Sequence, residues 1–335
     1  MQKKLIALAV AAAFSAPAFA DVTVYGIVDA AVANVSATGM KSDLTVLSGG
    51  LSTSRIGVVA AEDLDNGMKA IVKVEYKLDS ALSDGVLTAR QEMLALAGGF
   101  GTVAAGYLQT TGYDWAVKFD PTTGSAVDSL SVVNSGFLIG STAVAARANR
   151  ALAYISPDMG GVTVAVNYSA NVLNEGMVVS GATAGNKTTA TLLSATYAAG
   201  PLAVGAVYAK TSDDDTTGAS IVKISDVALG ASFDLSVVKL LGTYQTSKVD
   251  GGGNTDKAMS FSAVAPVGPG ALVATVAKNT IASTVAEDNK TAFTVAYLQG
   301  LSKTTTAYGA VQKISLKAAT TTDTTIIAIG LKKVF

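Results

Sequence analysis

Few residues of this 335-residue chain could carry chemistry. It has no histidine and no cysteine. That excludes Ser-His and Cys-His nucleophilic catalysis, disulfides and thiolate chemistry, and it argues against a zinc centre. Asp213-Asp214-Asp215 suggests calcium, but three adjacent carboxylates read first as a solvated loop tip. Asn34 and Asn186 open N-x-S/T matches, which a chain this rich in Thr and Ser produces by chance. Nothing calls for a cofactor. Two groups of charge remain. Lys69, Lys73, Glu75, Lys77 and Asp79 fall at alternate positions, with Ile71 among them. Residues 111–145 hold Tyr113, Asp114, the sole tryptophan Trp115, Phe119, Asp120, Pro121 and Asp128. For each of those aspartates the local alternative is a helix cap or a turn, and Asp120-Pro121 suits a turn.

The first group must sit on a strand. Met68, Ala70, Val72, Val74, Tyr76 and Leu78 form an apolar face opposite the charges, which is the period-two alternation of extended chain. The same pattern recurs along the chain. Sixteen strands are expected near 21–33, 53–64, 68–79, 88–98, 101–110, 146–156, 162–170, 187–199, 202–211, 221–234, 237–249, 257–267, 271–283, 290–300, 304–316 and 324–335. Tight turns rich in Gly, Pro and Asn, such as Asp65-Asn66-Gly67 and Gly268-Pro269-Gly270, alternate with longer polar connections. The second group breaks this rhythm. A stretch as long as 111–145 without strand pattern is functional or disordered, and this one is too aromatic for a solvated tail. It reads as a segment folded back against the rest, with a short helix around 127–133.

Composition says where such strands can live. Half of the residues are hydrophobic, yet after residue 20 no run is long and apolar enough for a spanning helix. Residues 1–20 read as a cleaved secretory signal: Lys3 and Lys4, an apolar stretch from Leu5 to Phe14, and an Ala18-Phe19-Ala20 cleavage site. Removing those two lysines from the 24 basic residues leaves 22 against 25 acidic ones, a net charge of −3. Nothing in that balance calls for nucleic acid. An exported, apolar, cysteine-free chain can hide its hydrophobicity as a lipid-facing barrel wall, apolar outward and polar inward. Short turns on one side and long loops on the other belong to the same architecture. At the C-terminus Phe335, Lys333, Leu331, Ile329 and Ile327 share one face. The segment alone also suits a buried strand of a soluble protein. In a barrel the ring lies at the lipid–water girdle, and Lys333 snorkels into the headgroups. The expected fold is all-β: a 16-stranded antiparallel transmembrane β-barrel spanning 21–335.

Taken together, several segments resemble the general porins of Gram-negative bacteria, in particular their β-proteobacterial branch. They are DVTVYGIVDAAV (21–32), SRIGVVAAEDLDNGMKAIVKVE (54–75), ARQEMLALAGGFGTVAAGYLQT (89–110), RANRALAYISPDMGGVTVAVNYS (147–169), YLQGLSKTTTAYGAVQ (297–312) and GLKKVF (330–335). Each is weak alone; their order along the whole chain is specific. The resemblance implies an outer-membrane homotrimer of water-filled channels for passive diffusion of small hydrophilic solutes and ions, not an enzyme. It implies that the long third loop, 111–145, folds into the lumen as a constriction. It places Arg55, Arg90 and Arg147 (less favourably Arg150) on the pore wall. Asp114, Asp120 and Asp128 become the acidic candidates of the loop, and Lys73 and Glu75 further lumen-facing residues. Phe335 becomes a membrane-interface residue read by the barrel-assembly machinery. Outer-membrane lipids and lipopolysaccharide are the implied surroundings.

The chain departs from the pattern at Ile27, Val59, Ala104, Tyr107 and Thr304, positions where relatives often carry a base. The basic ladder is thinner than usual, so strong anion preference does not follow from the resemblance. The alternative reading is a solute-specific channel, which saturable conductance block by one solute would distinguish.

Overall fold

The computed structural model describes residues 21–81, 87–140, 146–171, 188–213, 223–282, 289–317 and 322–335. The expected export signal, residues 1–20, and Asn186, Asp214 and Asp215 lie outside them. The described strands are β1 (Asp21–Ala37), β2 (Asp43–Ser48), β3 (Arg55–Asp63), β4 (Lys69–Lys77), β5 (Thr88–Gly98), β6 (Gly101–Gln109), β7 (Arg147–Ile155), β8 (Val162–Ser169) and β9 (Thr188–Ala199). They continue with β10 (Leu202–Asp213), β11 (Ile224–Asp234), β12 (Lys239–Val249), β13 (Thr255–Val267), β14 (Gly270–Thr280), β15 (Asn289–Ser302), β16 (Thr305–Lys317) and β17 (Thr322–Val334). Consecutive strands pair antiparallel except β2 and β3, which follow one another along β1, and β1 pairs with β17, so the sheet closes. Because β2 and β3 share one edge of β1, the seventeen segments make a 16-stranded barrel.

Closure is built on small residues. Val334 pairs with Ile27 and Thr324 with Ala37. Gly26 and Phe335 exchange backbone hydrogen bonds of 2.9 and 3.1 Å. The Phe335 ring covers Gly26 so closely that a Cβ there would lie 2.3 Å from it. A side chain at position 26 would therefore displace the terminal ring.

Outward positions are apolar and exposed along the wall, as at Val72, Leu94, Val227, Phe261 and Ile329. Inward positions are small or polar and buried, as at Ala228, Thr243, Ser260, Thr275 and Thr294. This inversion of a soluble protein leaves no single apolar core within the wall. Apolar packing gathers instead where the segment after β6 meets the barrel.

The structure revises the expected elements near the N-terminus. The stretch between the expected strands 21–33 and 53–64 contains β2, which extends the second barrel strand beyond a break at 49–54. That break is held by Asp29, which is fully buried. Its carboxylate accepts from the Leu51 and Ser52 amides at 2.9 and 2.8 Å and from the Tyr308 hydroxyl. Ser54 closes it by bonding the Asp29 backbone. Alternation along the strand cannot reveal such an insertion, because a polar loop and a polar excursion read alike.

Candidate functional site

The segment between β6 and β7 forms helix α1 (Thr111–Phe119) and helix α2 (Ser129–Val133). The helix expected around 127–133 is thus present and starts two residues later, while α1 has no counterpart in the sequence reading. Thr110 caps α1 through the Tyr113 amide and Asp128 caps α2 through the Ser131 amide. Both helices lie on the inward face of the wall, α1 on β8–β12 and α2 on β13–β15.

Wall residues are small where the helices touch. The Phe119 ring rests on Gly205 and Gly230; a Cβ on Gly230 would lie 2.5 Å from that ring and 2.9 Å from the Trp115 nitrogen. Trp115 donates to the Gly205 carbonyl at 3.3 Å. Leu130, Val133, Phe137 and Ile139 complete an apolar cluster with Ala209, Ala228, Ala258 and Ala277. Polar bonds fix the register: Thr294 to the Val127 carbonyl, 2.9 Å, and Asn279 to the Val133 carbonyl, 2.9 Å. At the near side, the Ala126 amide donates to Gly49 and Gly50, so the Asp29-held break also holds the segment.

Opposite α1 stands a charged wall. Arg90 Nε lies 2.7 Å from Glu75 Oε1, and Arg55 Nε lies 3.6 Å from Glu75 Oε2. The Tyr25 hydroxyl donates to Glu75 Oε2 at 2.8 Å. One carboxylate thus holds two guanidinium groups and a phenol. Arg147 Nε donates to the Arg90 carbonyl at 3.0 Å, and its guanidinium stacks 4.6 Å from the centre of the Tyr113 ring. Its Nη2 has no hydrogen-bond partner among the described residues. Lys73 stands 5.8 Å from the Tyr25 ring centre. A polar cavity of about 220 Å³ lies here, lined by Lys77, Arg90, Tyr113, Ser125 and Arg147 among others.

The three loop aspartates have different places. Asp114 opens to water and accepts from the Gln109 amide. Enclosure by the surrounding walls pushes its carboxyl upward, while the Gln109 bond and the positive charges of Arg147 and Lys73 pull it down. Asp120 and Asp128 are 1% and 3% exposed and do not face the gap. Asp120 Oδ1 accepts from the Thr122 amide and hydroxyl at 2.7 and 2.6 Å. Asp128 accepts from the Ser131 and Gly124 amides, both at 2.9 Å. Burial raises both carboxyls, and Asp128, beside the Asp120 charge, is pushed up to about 7. These two shape the segment from within.

Arg55, Arg90, Glu75, Lys73 and Arg147 therefore come together, with Asp114 as the carboxylate of the opposing helix. Arg150 lies apart, exposed on β7 with φ of 48°. Tyr25 and Tyr113 were missed by the sequence reading. Tyr25 carried a signal, since it lies on the inward face of β1. Tyr113 carried none, because nothing in the residue string shows which face of α1 meets Arg147.

A family profile described as Gram-negative porin matches residues 7–319. The chain is 30% identical over 333 residues to outer membrane porin protein 32 of Delftia acidovorans, spanning 96% of this chain and 92% of that protein. In structure it is similar to the anion-selective porin from Comamonas acidovorans, with a TM-score of 0.78, 25% identity, and coverage of 94% of this chain and 100% of that one. The trimer form of OmpT, an outer membrane protein of Vibrio cholerae, shares the fold at a TM-score of 0.65 and 17% identity, covering 94% of this chain and 99% of that one.

Proposed function

This chain belongs to the Gram-negative porin family, and from that premise we propose that its channel narrows to a net-positive, anion-favouring constriction in which Arg55, Arg90 and Arg147 face Asp114. It is an outer-membrane β-barrel that lets solutes diffuse passively. Its relatives are channels rather than enzymes.

One observation carries the proposed sign: Glu75 is already engaged by Arg55, Arg90 and Tyr25, whereas Arg147 has no carboxylate partner among the described residues. Counting Lys73, four cations meet two carboxylates, a net of +2 at the gap. In a narrow space with low-dielectric walls, that surplus concentrates anions and repels cations. The carboxylate of Asp114 across the gap from the arginines supplies a transverse field, which orients dipolar solutes and disfavours apolar ones. The solved Comamonas relative is described as anion-selective, which supports the sign.

Residues 1–20 act as the export signal, and 111–145 acts as the constriction loop. The working assembly is a homotrimer, since porin relatives include a trimeric form. Reconstitution into planar bilayers tests the channel and assembly together. Conductance is expected to rise in steps that each close through three substates. Folded protein that leaves bilayers silent overturns the channel, and single-level closure overturns the trimer.

A further inference from the structure

The outer surface of the barrel is uneven in charge. The outward faces of β1–β9 carry no lysine among the described residues. Lys248 on β12, Lys257 on β13 and Lys278 on β14 instead stand exposed on outward faces, close to the ends of their strands that lead into the longer connections. Register makes them neighbours. Lys248 pairs with Thr255, two residues from Lys257; Lys278 pairs with Met259, also two residues from Lys257. Such diagonal neighbours are about 7–8 Å apart. No ion pair among the described residues involves any of the three. Three adjacent cations with no ion-pair partner among the described residues repel one another, and near a membrane interface water screens them weakly.

Below them the wall is hollowed. A groove of about 570 Å³ runs down the outward face with Lys278 on its rim. Ala231 and Gly242 keep its floor low, and Leu229, Tyr244, Phe261 and Val276 stand around it. A Cβ on Gly242 would meet nothing nearer than 3.8 Å, so the space beside it is open. Aromatic rings at this level mark the interface between hydrocarbon and headgroups.

Cationic rim and apolar groove together match one molecule: an acylated lipid whose headgroup carries phosphate. We propose that Lys248, Lys257 and Lys278 hold the phosphates of an outer-leaflet lipid of the lipid A type, with one acyl chain in the groove below. This rests on the outer-membrane reading, because only there do the long connections meet that leaflet. Charge complementarity selects the headgroup, and the snorkelling lysine stems follow the apolar wall while their ammonium groups reach the phosphates.

Native mass spectrometry of the detergent-solubilised protein tests it, with bisphosphorylated lipid A and phosphatidylcholine as probes. The native chain is expected to hold lipid A at least about tenfold more tightly than phosphatidylcholine. The triple variant Lys248→Gln, Lys257→Gln, Lys278→Gln is expected to lose that preference. Gly242→Leu, which fills the groove and leaves the charges, is expected to weaken lipid A binding several-fold. Lys303→Gln with Lys333→Gln, at the opposite rim, is expected to change nothing. Inorganic phosphate at equal concentration should not displace the lipid. A triple variant that stays folded and conducting yet keeps lipid A as tightly as the native chain overturns the proposal, as does displacement by free phosphate. Loss of conductance by the native chain would strike the channel reading instead, so the two failures are distinguishable.

Discussion

Glu75 is the hinge of the charged wall because it is the one carboxylate shared by Arg55, Arg90 and Tyr25. Replacing it with Gln leaves two guanidinium groups enclosed without their counter-charge. Removing one partner of a buried pair costs about 3 kcal/mol. Glu75→Gln is therefore expected to lower the urea midpoint of the reconstituted barrel while increasing anion preference. Stability and selectivity move in opposite directions, which urea unfolding and zero-current potentials measured on one preparation can check. Unchanged selectivity would mean that Glu75 lies outside the ion path. At this scale the sequence was partly legible. Inward parity on β4 identified Lys73 and Glu75. The arginines entered by resemblance alone, since a lone arginine on a strand has no signal that separates a pore wall from an ordinary cross-strand pair.

On the proposed reading, the loop segment is the element that sets the channel's width. Helix α1 depends on missing side chains opposite it, at Gly205 and Gly230. Gly230→Val would push Phe119 and Trp115 off the wall. Larger and noisier single-channel currents are expected, and unchanged conductance would show that α1 does not limit the pore. A second prediction concerns pH. Asp128 is pushed up to about 7 by burial and by the neighbouring Asp120. A carboxyl raised in the folded state adds stability that is complete below its unfolded value near 4 and is lost as pH rises through about 7. Amides of residues 122–134 are thus expected to be better protected from hydrogen exchange at pH 5.5 than at pH 8, after correction for intrinsic rates. Asp120→Asn should flatten the difference; equal protection in the native chain would contradict the account. The sequence hinted at this element through its length and its aromatics. It could not distinguish Asp114, open to the gap, from Asp120 and Asp128, turned inward, because that depends on which helix face meets the wall.

As a whole molecule the chain is a closed wall with its apolar surface outside. That was the most legible property, because alternation over many strands and the absence of a spanning helix admit few architectures. The break at 49–54 and its Asp29 clamp were not legible, since they depend on Tyr308, far away in the chain. Closure depends on Phe335 lying over Gly26. Deleting Phe335 is expected to reduce the amount of assembled barrel in the membrane far more than conductance per channel, and Gly26→Leu should act alike by displacing the ring. Heat-modifiable gel migration gives the first quantity and bilayer recording the second. Equal assembly of both variants would show that the seam needs neither contact.

The net-positive constriction is tested most directly by the zero-current potential across a KCl gradient. The account predicts that the dilute side becomes negative, and that Arg90→Ala with Arg147→Ala drives the potential toward or past zero while channels still insert. A dilute side that is positive in the native channel, or a potential that the paired substitution leaves unmoved, would contradict it.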